Sequence, residues 1–297
     1  MFSINRHFKN KLHTIWMLLC LLLIIILPFV LGIGLYLKST LLFSNNSIID
    51  LLFSKEWKPL EGRFGFLPFI ASSLWVTILA ILISGPICLL SSIFLTQYAK
   101  KYYLKIMHPV IDILAGIPSV IYGVWGILII VPLISGYIAP TFGVYTTGYC
   151  ILSGALVLSI MIIPFILNIL IEVFRYIPDE LKEASLSLGA TKWETIKFVL
   201  IKKAFPGIIS AVGLGLSRAF GETIAVLMVV GNVVKIPNNI FQPGYPLPAL
   251  IANNYGEMMS IPMYDSALML SALILLVIVV LFNMISRMAI VRLEKKL

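Results

Sequence analysis

The sequence predicts an all-α polytopic membrane protein with six transmembrane helices, and three observations carry that reading. Of its 297 residues, 60% are hydrophobic and only 12% are charged, whereas soluble domains carry about a quarter charged residues. The apolar residues gather into six runs of about 18 residues or more, the length that crosses a ~30 Å hydrocarbon core. The lysines and arginines between those runs are unevenly divided, as they are around membrane spans.

The runs cover about Ile15–Leu37, Pro68–Gln97, Met107–Ile134, Gly148–Phe174, Pro206–Val230 and Ser266–Ser286. The first follows the basic residues Arg6, Lys9 and Lys11. It exceeds ~20 residues and no small-residue cleavage site follows it, so an uncleaved anchor is expected. Pro86, Pro118, Pro132 and Pro164 interrupt the next three runs. Prolines are tolerated in membrane helices where neighbours satisfy the freed carbonyls, and each marks either a kink beside a pathway or one that only improves packing. The expected organisation is an anchor helix with an external loop (1–67), a membrane domain (68–288) with a cytoplasmic loop at 175–205, and a cytoplasmic tail (289–297).

With the N-terminus inside, the inner segments hold Arg6, Lys9, Lys11, Lys100, Lys101, Lys105, Arg175, Lys182, Lys192, Lys197, Lys202, Lys203, Arg287, Arg292, Lys295 and Lys296. The outer segments hold only Lys38, Lys55, Lys58, Arg63 and Lys235. This asymmetry predicts both termini in the cytoplasm. The net charge of +9 then points to anionic lipid as its partner. No basic cluster with interleaved aromatics suggests nucleic acid.

Several chemistries lack their residues. Cys20, Cys88 and Cys150 are far apart and form no metal spacing, so they read as small apolar fillers. His7, His13 and His108 form no HExxH, and no GxxxxGK[ST] loop is present to cradle a nucleotide. No catalytic residue, metal site or cofactor is expected.

One charge pair stands inside an apolar, glycine-rich run, GIISAVGLGLSRAFGETIAVLMVVGN. On a continuous helix Arg218 and Glu222 would lie one turn apart, within reach of each other. At ~1.5 Å per residue Arg218 lies ~18 Å beyond Pro206, near mid-membrane. A charge there costs from about 2.5 to over 10 kcal/mol. The two residues either clasp each other and fix the helix in one register, or meet a charged species that crosses the membrane. Gly207, Ala211, Gly215 and Ala219 recur every fourth residue and make a smooth stripe for close approach of another helix.

The loop RYIPDELKEASLSLGATKWETIKFVLIKKAF is the second informative region. Pro178 opens a helix and is followed by the acids Asp179, Glu180 and Glu183, which the positive end of the helix dipole favours, and Gly189 stops it. A second short amphipathic helix is expected from Lys192, with Trp193, Ile196 and Leu200 on one face. The segment resembles the EAA loop of permeases of ATP-binding-cassette importers, standing here as Glu183-Ala184-Ser185, Leu186-Ser187-Leu188 and Gly189. It departs from that pattern at Ser185, and at Lys202 in place of a closing Leu-Pro. The strings EWKPLEGRFGFLPFIASSL, DILAGIPSVIYGVWG, RAFGETIAVLMVVGN and PALIANNYGE resemble the phosphate-specific permease subunits of the PstC type.

That resemblance implies the permease fold of type I importers and a heterodimer with a sister permease. It also implies two copies of a cytoplasmic ATP-binding subunit and an extracytoplasmic phosphate-binding protein. Arg218 and Glu222 are implied in phosphate passage, which agrees with their chemistry: a guanidinium fork matches phosphate oxygens, and Glu222 can hold that fork when no anion is present. Ser119, in the GIPS turn, is a further candidate, although a hydroxyl bonded back to its own helix is an ordinary arrangement. Glu183, Ala184, Ser185 and Gly189 are implied in coupling to the ATPase. A sister PstA-type subunit or a permease for sulfate or molybdate are the alternatives. A membrane hydrolase would need a base beside Ser217, and an ion-coupled carrier would show repeated halves. Neither feature is present.

Overall fold

The computed structural model describes residues 6–45, 47–257 and 261–294. Lys295 and Lys296, at the end of the expected tail, lie outside the described residues. In chain order the elements are α1 (Arg6–Asn45), α2 (Ile48–Phe53), β1 (Trp57–Lys58), β2 (Arg63–Phe64), α3 (Leu67–Tyr98), α4 (Lys101–Gly116), α5 (Ser119–Thr141) and α6 (Ile151–Arg175). There follow α7 (Asp179–Ser187), α8 (Lys192–Gly221), α9 (Ile224–Leu227), α10 (Leu247–Asn254) and α11 (Pro262–Glu294). Six of them (α1, α3, α5, α6, α8 and α11) are long and apolar enough to cross a membrane, as the hydropathy predicts.

The two largest shifts in where a span begins have different reasons. The run expected at 107–134 is two helices, because Ile117 and Pro118 are both extended (ψ 128° and 140°). A residue before proline is pushed out of the α region, so α4 stops at Gly116 and the span proper starts at Ser119. The fifth span was expected from Pro206, but α8 starts at Lys192 and absorbs the amphipathic segment read as a separate helix. Thr191 caps it there: its hydroxyl accepts the Glu194 N–H while Glu194 accepts the Thr191 N–H at 2.8 Å. Hydropathy marks where the membrane begins, not where the helix begins. α8 also ends early, at Gly221, with Glu222 extended (φ −73°, ψ 127°). The expected tail at 289–294 is a continuation of α11.

α3 and α6 form the central pair, α8 lies across both, and α11 packs against α8 and carries α1. Val76, Ala80, Leu158, Ile162, Ile166, Leu170, Ala211 and Ala219 are buried at this junction. The small-residue stripe expected to admit another helix faces α6. A methyl group placed on Gly207 would meet Val173 at 2.5 Å, and one on Gly215 would meet Ile166 at 2.6 Å. Gly213, on another face, lies against Ser286 of α11. The most apolar stretch of α1 is wholly unburied, as a lipid-facing helix should be.

The connections before α3 and after α9 form an ordered cap. Trp57 sits edge-on among Phe64, Phe66, Phe69 and Tyr264, with ring centroids 4.8–5.9 Å away. Ser72 and Ser73 of α3 each donate back along their helix and accept the N–H of Tyr245 and Leu247 at 3.0 and 2.8 Å. Beside the hairpin of β1 and β2, Arg63 donates to Glu56 at 2.7 Å. That hydrogen bond, then the guanidinium charge, holds the Glu56 carboxyl below its ordinary range. The pairing is therefore present at neutral pH and is lost only as pH falls through the lowered value.

Gly215→Val should lower the thermal midpoint of the detergent-solubilised protein, because overpacking a tight contact costs about 1–3 kcal/mol. An unchanged midpoint in a thermal melt would overturn the close approach of α8 and α6.

Candidate functional site

Arg218 lies in the last turn of α8, just before that helix breaks at Glu222. α9, which resumes after the break, packs against the start of α5, which itself follows the break at Ile117–Pro118. Two discontinuous membrane segments thus meet beside one guanidinium. Broken helices at membrane depth are tolerated only where protein or a water-filled cavity takes up the freed backbone groups, and in transporters they line binding sites.

Arg218 is exposed on the isolated chain, and its guanidinium carbon lies 4.9 Å from the centre of the Phe165 ring on α6. Among the described residues no ion pair joins it to Glu222 or to any other carboxylate. The expected clasp presupposed a continuous helix. The helix stops at Gly221, a poor helix former, and the extended backbone turns Glu222 away. Half-buried, Glu222 instead accepts the Ala225 N–H at 3.5 Å across the start of α9. Ser119 is the first residue of α5 and half-buried, and its hydroxyl has no hydrogen-bond partner among the described residues, so it does not bond back along its helix.

Residues that the sequence reading passed over also shape this site. Phe165 supplies the ring under Arg218. Tyr122 of α5 lies within electrostatic range of Arg218 and donates its hydroxyl to the Leu114 carbonyl at 2.8 Å, bridging the break between α4 and α5. Asn283 of α11 accepts the Ser217 hydroxyl at 2.9 Å, and Phe282 stacks on Phe220 at 5.1 Å, which together fix the rotation of α8. A lone asparagine in an apolar span was a readable signal. A phenylalanine in an apolar run was not. Asp112 of α4 accepts from Asn168 of α6 at 3.2 Å.

At the other end of α8, the loop helix α7 is held at a fixed angle. Gly189 adopts φ +85°, a left-handed conformation that a β-branched residue resists. The Gly189 and Ala190 N–H groups return to the Leu186 and Ser185 carbonyls at 3.0 and 3.3 Å. The Ser185 hydroxyl, at the position where an alanine was expected, lies 3.0 Å from the hydroxyl of Thr195 on α8. The Lys192 ammonium sits 4.4 Å over the Tyr98 ring at the end of α3. Glu183 and Ala184 face outward, beside Leu186 and the 88% exposed Leu188. From Lys192 to Arg218 runs one helix of ~40 Å at ~1.5 Å per residue.

Residues 88–297 match the family model described as the binding-protein-dependent transport system inner membrane component. A probable ABC transporter permease protein, YqgH, of Bacillus subtilis is 38% identical over 272 residues, covering 90% of this chain and 86% of that one. The phosphate transport system permease protein PstC of Pasteurella multocida is 38% identical over 261 residues (83% of this chain, 81% of its own). Among solved structures, a chain of a bacterial alginate ABC transporter, crystallised with an alginate pentasaccharide-bound periplasmic protein, superposes with a TM-score of 0.62 at 16% identity. It covers 93% of this chain and 94% of its own. A chain of the inward-facing MetNI methionine ABC transporter gives 0.57 at 18% identity, over 80% of this chain and 99% of its own. The six-span fold is therefore that of ABC importer permeases, and the chain belongs to the family of binding-protein-dependent transport system inner membrane components.

Proposed function

We propose that this chain is the permease subunit of an ATP-driven inorganic phosphate importer and forms half of the translocation pathway. The observation that carries the reading is Arg218: an exposed guanidinium without a carboxylate partner, set in an apolar span where two helices break. Facing lipid it would cost from about 2.5 to over 10 kcal/mol, so that face turns to a pathway or to another subunit. A planar fork of N–H donors matches phosphate oxygens. The PstC relatives, phosphate transport permeases by name, support the substrate. The lysine and arginine asymmetry supports both termini in the cytoplasm, with α7 on the inner side and the Trp57 cap outside.

In this reading a sister permease covers the Arg218 face, and two cytoplasmic ATP-binding subunits dock on α7. A loaded phosphate-binding protein seats on the outer cap. Closure of the ATPases pushes α7. The Gly189 elbow and the Ser185–Thr195 contact pass that push to α8, whose far end carries Arg218. The pathway then opens outward, Arg218 receives the anion released by the binding protein, and reversal releases it inward. Glu222 and Ser119 border the same breaks, within the lining that phosphate passes.

Replacing Arg218 by Gln in the assembled complex should abolish ATP-dependent uptake of labelled phosphate; near-normal uptake would sink the reading. Gly189→Val should leave ATP turnover but uncouple it from uptake, and retained coupling would refute the lever. Glu222→Gln should shift the unfolding midpoint by an amount equivalent to less than about 0.5 kcal/mol. A midpoint loss equivalent to the ~3–5 kcal/mol of a broken buried ion pair would restore the clasp.

A further inference from the structure

We infer that Phe165 is a positioning residue: its ring seats the Arg218 guanidinium by its flat face and leaves the N–H edge free for an oxyanion. The inference rests on the proposed role of Arg218 in phosphate passage. A guanidinium carries its five N–H donors in its own plane and none on its faces. A carboxylate partner would engage that edge, as the bidentate fork geometry requires, and a passing phosphate would have to displace it. An aromatic ring attracts the same cation through its electron-rich face and occupies no donor. The structure places Arg218 over such a ring at 4.9 Å and joins it to no carboxylate among the described residues. The arginine is thus held in position with its charge and its hydrogen-bonding capacity intact.

The ring is itself well anchored. Phe165 follows Pro164 in α6 and packs against the cluster that includes Leu158, Ile162, Ile166 and Ala211. Gly215, three residues before Arg218 on α8, lies in contact with Ile166, the residue after Phe165. The close approach of the two helices therefore brings cation and ring together. A leucine or methionine at position 165 would keep apolar packing and lose the attraction to the cation.

The test uses the full complex in proteoliposomes with its binding protein, measuring phosphate imported and ATP hydrolysed in parallel. Phe165→Leu and Phe165→Met should lower the phosphate-to-ATP ratio by about 2- to 30-fold, the range set by the strength of such contacts. ATP turnover should stay near normal, and Phe165→Tyr should restore the ratio. A packing role alone would lower both activities together and leave their ratio unchanged. A normal ratio in both aliphatic variants, or no recovery in Phe165→Tyr, would overturn the inference while Arg218→Gln remained inactive. Normal uptake by Arg218→Gln would instead remove the proposed function on which the inference stands.

Discussion

The approach of α8 to α6 sets the position of everything at the candidate site. Gly207 and Gly215 have no room for a side chain against Val173 and Ile166, so two helix backbones lie closer than larger residues would allow. In lipid there is no hydrophobic gain from bringing apolar helices together, and association depends on packing of this kind and on interhelical hydrogen bonds. The Ser217–Asn283 bond and the Phe220–Phe282 stack supply the second contact, to α11. Held by α3, α6 and α11, α8 keeps a free face, and that face carries Arg218.

What that free face offers depends on where the helix stops. Had α8 continued past Gly221, Glu222 would stand one turn from Arg218 and neutralise it. The break separates the two charges and gives Glu222 a local task at the start of α9. The cation is left over an aromatic ring. A neutralised pair would be a rigid element indifferent to passing anions, whereas an unneutralised guanidinium attracts them. The second break, at Ile117–Pro118, places α5 and the bridging hydroxyl of Tyr122 beside the first.

The other end of α8 is tied to the loop helix. The Gly189 elbow and the Ser185–Thr195 contact join α7 to α8, and the Thr191–Glu194 capping box fixes where α8 starts. α8 is helical from Lys192 to Gly221, with a π-helical turn at Ile196–Leu200 and Pro206 inside it, so one element joins the α7 contact to the Arg218 end.

The sequence by itself determined the fold class, the number of spans and the resemblance of the loop and the span motifs to importer permeases. Those features follow from composition, run length and local motifs, which do not depend on distant contacts. It also determined that α8 has a smooth face, because a four-residue repeat of small residues is a local pattern. The tertiary structure alone decided which helix fills that face, that Arg218 meets Phe165 and not Glu222, and that Asn283 holds α8 in rotation. Phe165 and Arg218 are 53 positions apart in sequence, and one phenylalanine in an apolar span looks like any other. The Arg218–Glu222 pairing was read from helical spacing, which holds only while the helix continues. Where it ends is settled by a glycine and by the neighbours that accept the freed backbone, so the physical reason lies in packing that no local pattern contains.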